Sequence, residues 1–151
     1  MTTLSPTTHR ARTRPTALTV VGRIGWFVLW AFVTTFAWFE VVKHGYVQGG
    51  WTDAVLLTTA AIGFFIAPDL TFLIGAGQPV EKGYLPTRAV PFYNAMHRAW
   101  APLMLTVVVG IGLAPLAPLP LALFVGGLSW FAHVALDRVA GYGLRNRDGG
   151  R

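Results

Sequence analysis

Residues 119–140 read LPLALFVGGLSWFAHVALDRVA, and the interpretation of the whole chain starts from this stretch. It is apolar over about 20 residues, the length a helix needs to cross a bilayer. His133 and Asp137 nonetheless interrupt it, one helical turn apart and on one face, because residues i and i+4 align. An ionisable group inside such a helix costs at least about 2 kcal/mol, so we interpret the pair as part of a functional site.

The composition of the whole chain indicates lipid as its surrounding solvent. Of the 151 residues, 54% are hydrophobic and 12% are charged, and the mean hydropathy is +0.53. A soluble domain carries roughly twice that share of charge, so these residues cannot build a water-facing surface. The chain contains no cysteine, which excludes disulfides and thiolate metal ligands.

The net charge of +6 does not indicate nucleic-acid binding. The basic residues separate apolar stretches, and they form no basic face with aromatic side chains on which bases could stack. Such a distribution is a membrane-topology signal. We therefore exclude nucleic acid as a partner and expect membrane lipids around the protein. Protein partners, including a second copy of the chain, stay open.

Four apolar stretches predict an all-α, four-helix integral membrane bundle within residues 17–145. Backbone polar groups in lipid must bond within their own segment, which favours helices. The predicted spans are residues 18–42, 54–75, 89–114 and 119–140. The predicted connectors are residues 43–51, residues 77–88 and a short turn at 115–118.

The two ends of the chain are predicted to be tails in the cytoplasm. Residues 1–16 are rich in Thr, Arg and Pro and predict a disordered basic tail, and residues 146–151 form a short polar one. Basic residues concentrate in these ends and in the second connector, whereas the first connector holds only Lys43. By the positive-inside rule both termini face the cytoplasm. The predicted location is the cytoplasmic membrane.

Polar residues of three predicted spans fall at a common depth. With a rise of about 1.5 Å per residue, Asp69 and His133 lie about 8 and 9 Å from the inner edge of the hydrocarbon core. Asn94 and His97 lie about 7 and 12 Å from that edge. The sequence therefore predicts one site near the cytoplasmic side, which contains Asp69, Asn94, His97, Arg98, His133 and Asp137.

Two prolines lie within a helical turn of this predicted site. Pro68 cannot donate a backbone hydrogen bond to the carbonyl of Phe64, and Pro102 cannot donate to that of Arg98. A freed carbonyl in a membrane must bind protein, water or an ion. The coincidence favours a cavity over two ordinary proline kinks.

A metal centre is the sharpest hypothesis for this site. Imidazole nitrogens and carboxylate oxygens are ligands that zinc, manganese and iron accept. The predicted ligands of zinc or another divalent metal are Asp69, His97, His133 and Asp137. Arg98 and Asn94 are the candidate catalytic residues, with Arg98 binding an anionic substrate group and a metal-activated water as nucleophile. The function would be a metal-dependent hydrolase acting on a lipid or other membrane-proximal substrate.

Two other hypotheses stay open. In a structural clamp, an aspartate pairs with Arg98 or Arg138, Asn94 caps a freed carbonyl, and the histidines bond between helices at about 1 kcal/mol per bond. The protein would then be a non-catalytic membrane protein or a complex subunit. A transport or proton-relay site is the third hypothesis. Arg138 itself is interpreted as a helix-end cation that reaches the lipid headgroups.

Glycines predict close helix contacts and the end of the last helix. The pairs Gly126-Gly127 and Gly110-x-Gly112 leave room for neighbouring helices to approach. Gly141 is predicted to end the last helix with a positive φ.

Three sequence blocks carry a family resemblance. They are residues 67–70 (APDL), 93–102 (YNAMHRAWAP) and 132–144 (AHVALDRVAGYGL). Over about residues 20–147 the chain resembles a bacterial family of small membrane proteins catalogued as domain of unknown function 4260. The resemblance implies a multi-pass architecture and no established activity.

The chain departs from the pattern of that family at two places. Members usually carry Arg-x-Glu near the start of the first helix, where this chain has Arg23-Ile-Gly25 without the acid. Members also often have a further histidine after Gly-Tyr-Gly-Leu, which this chain lacks. A looser similarity is to membrane-bound metal-dependent hydrolases, which share a Pro-Asp, a histidine in the third helix and a late His-x-x-x-Asp. Their His-Ser pair is absent here, and likeness of fold does not establish function.

Overall fold

The computed structural model describes residues 16–112 and 118–150, and within these ranges it contains helices and connections but no strand. The helices are α1 (Ala17–Glu40, continued by a π-helix over Val41–Val47), α2 (Trp51–Ile66, continued by a 3-10 helix over Ala67–Gly75), α3 (Val90–Met96), α4 (Trp100–Gly112) and α5 (Pro118–Ala140). The predicted tail at 1–16 lies outside the described residues except for Thr16, which caps α1. The predicted turn at 115–118 also lies outside them except for Pro118.

Three helical segments are long and apolar enough to cross a bilayer, which confirms the all-α class and suggests a membrane protein. They are Ala17–Val47, Trp51–Gly75 and Leu119–Ala140. Large apolar side chains point outward from them, among them Phe32 on α1 and Leu73 after α2. Such side chains are unfavourable in water and well solvated in lipid.

The third predicted span differs from expectation, because it is two helices rather than one. Residues 97–99 are not helical and separate α3 from α4. Pro102 accounts for the break, since it has no N–H to donate to the carbonyl of Arg98. That carbonyl accepts instead from the Ala101 N–H at 3.1 Å. α4 has 13 residues, which is about 20 Å and less than the ~30 Å of a hydrocarbon core.

The ends of the first two helices also depart from regular α-helix. The first helix was predicted to end near residue 42 but continues to Val47, where a Cβ on Gly45 would lie 2.9 Å from the Cα of Ala54. This close approach joins the first two helices at that end. After α2, Pro68 lacks the N–H for an α-helical bond, and the chain tightens into a nine-residue 3-10 helix that carries Asp69.

The last helix, α5, is the centre of the bundle. α1, α2 and α4 each pack along it, and its Val125, Val134 and Ala135 are completely buried. α1 and α2 meet through the π-helix, whereas along the rest of their lengths both rest on α5. A groove with α5 as its floor therefore separates α1 from α2.

The predicted close approaches at glycine are confirmed for three of the four residues. A Cβ on Gly127 would lie 2.5 Å from Thr106 Oγ1 of α4, and Cβ atoms on Gly126 and Gly110 would meet the rings of Phe64 and Phe124. Gly112 has open space around it.

After α5 the chain turns back toward the second connector. Gly141 has a φ of +81°, which confirms the predicted helix end. Residues 142–150, called here the C-terminal segment, then bring the Gly149 carbonyl to the Leu85 N–H at 3.0 Å. The Arg23 guanidinium of α1 lies beside Gly141. The start of α1, the second connector and the C-terminal segment thus share one end of the molecule.

Replacement of Gly127 tests the packing of α4 on α5. We expect Gly127→Ala to lower the free energy of unfolding in detergent by about 1–3 kcal/mol, because the added methyl group meets Thr106. Gly63→Ala is the matched control, since nothing lies near that position and alanine favours a helix by roughly 0.5–1 kcal/mol. Equal stability of Gly127→Ala and wild type would contradict this packing.

Candidate metal centre

Three of the predicted ligands converge from three different elements. Asp69 comes from the 3-10 helix, His97 from the break between α3 and α4, and His133 from α5. One ligand atom of each lies within 4.8 Å of the others. Asp137, one turn after His133, places Oδ2 3.3 Å from His97 Nε2. These four residues are called the His/Asp cluster below.

The orientation of the His97 ring defines which of its nitrogens faces the cluster. His97 is fully buried, with 0% of its surface exposed, and its ring stacks on Tyr93 with centroids 3.8 Å apart. Its Nδ1 lies 2.8 Å from the Tyr93 backbone carbonyl. A carbonyl only accepts, so Nδ1 carries the proton, and Nε2 of the neutral ring has a lone pair. A backbone partner of this kind is the usual support of a metal-ligating histidine.

The distances within the cluster match the spacing of ligands around one small cation. His97 Nε2 lies 3.4 Å from His133 Nε2 and 3.9 Å from Asp69 Oδ1. Asp69 Oδ1 lies 3.6 Å from His133 Nε2. Ligands about 2.0–2.1 Å from a tetrahedral zinc are about 3.3 Å from one another. The spacing of Asp69, His97 and His133 therefore fits a divalent metal after shifts of about half an ångström, and Asp137 lies beside this group through His97.

The cluster is enclosed on the histidine side and open on the aspartate side. His133 is buried, and the Phe65 ring packs against it edge-on at 5.4 Å. The Asp69 side chain, in contrast, is 52% exposed, and that of Asp137 is 19% exposed. A molecule from outside the protein therefore reaches the cluster at Asp69.

The two candidate catalytic residues do not join the cluster. Both polar ends of the Asn94 amide bind the backbone of Arg145: Nδ2 donates to its carbonyl at 2.8 Å and Oδ1 accepts from its N–H at 2.7 Å. Asn94 thus holds the C-terminal segment onto α3. The Arg98 side chain is exposed, and within residues 16–112 and 118–150 it forms no ion pair.

Arg138 supports the backbone next to the cluster, a role that the sequence interpretation did not predict. Its Nη2 donates to the His97 carbonyl at 2.8 Å, and its Nη1 donates to the Tyr142 carbonyl at 2.8 Å. The interpretation as a cation directed to lipid headgroups was therefore wrong, because its guanidinium is engaged with two backbone carbonyls. The available signal was that Arg138 is the one cation in residues 119–140.

A second side chain of α5 completes the support of the helix break. Trp130 Nε1 donates to the Met96 carbonyl at 2.6 Å. The sequence predicted a freed carbonyl at Arg98, but Ala101 satisfies that group. The carbonyls that bind side chains are those of the two preceding residues.

Arg138→Lys tests the support of the break. A lysine provides one ammonium group in place of the two-pronged guanidinium, so one charged hydrogen bond is lost. We expect the free energy of unfolding to fall by about 1.5–3 kcal/mol, with faster amide exchange in the C-terminal segment. The exposed Arg88 provides the control Arg88→Lys. Unchanged stability and exchange in Arg138→Lys would contradict the bridging role.

Comparison with known proteins identifies a family but no characterised relative. No curated protein and no solved structure matches the chain. The family model described as Domain of unknown function (DUF4260) matches residues 16–151, nearly the whole chain. The resemblance seen in the three sequence blocks is confirmed: the chain belongs to the family of Domain of unknown function (DUF4260).

Proposed function

We propose that the protein is a metal-dependent hydrolase of the membrane, with its divalent metal held by the His/Asp cluster. The observation that carries the proposal is the orientation of His97. The Tyr93 carbonyl fixes the proton on Nδ1, so the lone pair of Nε2 is directed at the other three ligands.

The negative charge of the cluster favours the binding of a cation. Two carboxylates meet two imidazoles in apolar surroundings, where uncompensated charge is unfavourable. With neutral imidazoles the cluster carries two negative charges, which one divalent cation balances. A bound cation would supply Lewis acidity and activate water. The residues of the chain would hold it and leave an approach at Asp69.

The substrate side of the proposal rests on exposure. The half-exposed Asp69 lies on the face open to the surroundings, and Arg98 is exposed next to His97 in sequence. We propose that Arg98 binds an anionic group of a lipid or other membrane-proximal substrate, and we assign Asn94 to positioning of the C-terminal segment.

The structural clamp is the second candidate, and one observation favours it. His133 Nε2 and His97 Nε2 are 3.4 Å apart, within hydrogen-bond distance if His133 carries its proton on Nε2. A clamp would stabilise the fold without metal. With neutral imidazoles it would leave the two carboxylates without a compensating charge, whereas protonated imidazoles would form ion pairs with them.

Metal content separates these two functions. Purified protein, stripped with chelator and reloaded with zinc, is expected to retain one zinc per chain by mass spectrometry. His97→Ala and His133→Ala should weaken zinc binding by more than the roughly tenfold to hundredfold that the loss of an outer partner causes. His44→Ala is the matched control, because His44 pairs with Glu40 at 3.3 Å, away from the cluster.

The same variants separate metal binding from hydrolysis. A folded wild type that retains no zinc, manganese or iron would overturn the metal centre and favour the clamp. If metal binds, hydrolysis of phosphate and carboxylate esters in lipid vesicles should require it. Asp69→Asn should lower that activity at least tenfold. Metal binding without hydrolysis of any ester would overturn the enzyme proposal alone.

We further propose four passes through the cytoplasmic membrane, with both termini inside. α3 and α4 together make the third pass. The contact of Leu85 with Gly149 supports this topology, because it places the second connector and the C-terminal segment on one side. Both carry basic residues, as expected for the inner side.

The absence of cysteine makes the topology directly testable. Gln78→Cys and Arg147→Cys should react with a membrane-impermeant maleimide only when the cytoplasmic side is accessible. Gln48→Cys, in the first connector, should react from the outside of intact cells. Labelling of Gln78→Cys in intact cells would overturn the orientation, and opposite sidedness of Gln78→Cys and Arg147→Cys would overturn the pass number.

A further inference from the structure

A second cavity lies close to the His/Asp cluster but outside it. It has a volume of about 230 Å³ and is formed by α1, α2 and α5 in the groove that separates the first two helices. Ser129 and Ala132 of α5 form its floor. Ser129 lies one helical turn before His133, and Ala132 directly precedes His133. Phe65 of α2 lies between the cavity and His133, with its ring against the imidazole.

Two polar atoms of α1 are buried at this cavity without a partner. Among the described residues, neither Trp30 Nε1 nor Thr34 Oγ1 has a hydrogen bond, and both residues line the cavity. They are four residues apart and therefore share one helical face. The indole N–H can only donate, and a threonine hydroxyl can also donate. A buried donor without an acceptor is unfavourable, so the missing partner is an acceptor.

The residues at the rim of the cavity indicate the direction from which a ligand enters. Trp38 of α1 and Ile62 and Ile66 of α2 line it and are 44%, 48% and 49% exposed. In a membrane-spanning bundle these side chains face acyl chains. The lining is almost entirely apolar. An occupant therefore enters laterally from the lipid.

We propose that this cavity binds the acyl carbonyl of a lipid-soluble ester. The carbonyl oxygen has two lone pairs and accepts from Trp30 Nε1 and from Thr34 Oγ1 after these two side chains turn toward the cavity, because the structure shows both atoms covered. The hydrocarbon chain leaves past the exposed side chains of Trp38, Ile62 and Ile66. The proposal does not depend on a metal in the cluster.

A bound water is the simplest competing occupant. A water needs about 2–4 polar partners and takes up about 30 Å³, so the apolar remainder of the cavity would stay unfilled. The volume of about 230 Å³ is also below the ~300–1,000 Å³ of sites that enclose a whole drug-sized ligand. The cavity thus suits one part of a longer molecule, whose remainder lies in the bilayer.

Infrared spectroscopy of a labelled ester tests the proposal. The full-length protein is placed in discs of ether-linked lipid, which has no ester carbonyl, and methyl laurate labelled with a heavy isotope at the carbonyl carbon is the probe. We expect the bound ester to absorb at a lower carbonyl frequency than the free ester, because it accepts hydrogen bonds. Trp30→Phe and Thr34→Val should each weaken binding about threefold to tenfold and reverse part of the shift.

Matched variants and a matched probe complete the test. Thr35→Val and Trp51→Phe change exposed residues of the same types and should leave binding and frequency unchanged. Thr34→Ser retains the hydroxyl and should retain the shift, which separates the hydrogen bond from packing. Undecane, an alkane without the carbonyl, should bind equally to wild type and both cavity variants.

The wild-type spectrum alone can overturn the proposal. A bound ester with the carbonyl frequency of the free ester, or no binding of the ester, excludes the carbonyl as the acceptor. Equal binding and equal carbonyl frequency in wild type, Trp30→Phe and Thr34→Val would also exclude the carbonyl as the acceptor, and would indicate that a water is the partner of the two donors. Loss of zinc through His97→Ala should leave the shift in place, so failure of the metal centre and failure of this proposal are distinguishable.

Discussion

An interrupted backbone in apolar surroundings is the constraint on which the rest of the structure depends. Between Met96 and Trp100 the chain leaves the helical hydrogen-bond pattern, and no lipid can replace the lost bonds. Two side chains of α5 supply them: Trp130 binds the Met96 carbonyl, and Arg138 binds the His97 carbonyl. The packing of α5 against the break therefore also stabilises it, because side chains of α5 bind the two carbonyls that have lost their helical partners.

The same break creates the candidate metal centre. His97 ends α3: its backbone N–H and its Nδ1 both lie at the Tyr93 carbonyl, and its Nε2 faces His133 of α5. The 3-10 helix after Pro68 brings Asp69 to the same point. The two prolines act differently. Pro68 directly precedes Asp69 at the start of the 3-10 helix, whereas Pro102 lies after the non-helical residues 97–99 and lacks the N–H that the Arg98 carbonyl would accept from.

Several polar side chains in the apolar bundle support the backbone, whereas two polar atoms near one cavity have no partner among the described residues. Asn94, Trp130 and Arg138 bind backbone groups, whereas Trp30 Nε1 and Thr34 Oγ1 belong to residues that line the cavity and are buried without a hydrogen bond. Phe65 lines that cavity and its ring also contacts His133. An acyl group held there would lie beside the cluster, on the lipid side of the proposed hydrolase.

The sequence by itself predicted lipid surroundings, the helical class, four span-length segments, of which three are span-length helices in the structure, and the polar residues that meet near one end. These follow from composition, length and the cost of charge in lipid, which are properties of each segment alone. Depth along a helix gives one coordinate, however, and the direction of a side chain around the helix depends on its neighbours. Only the tertiary structure could therefore separate the four cluster residues from Asn94 and Arg98, which share their depth. It also decided the role of Arg138, because one of the two carbonyls that this side chain binds, that of His97, is free only where the chain breaks between α3 and α4.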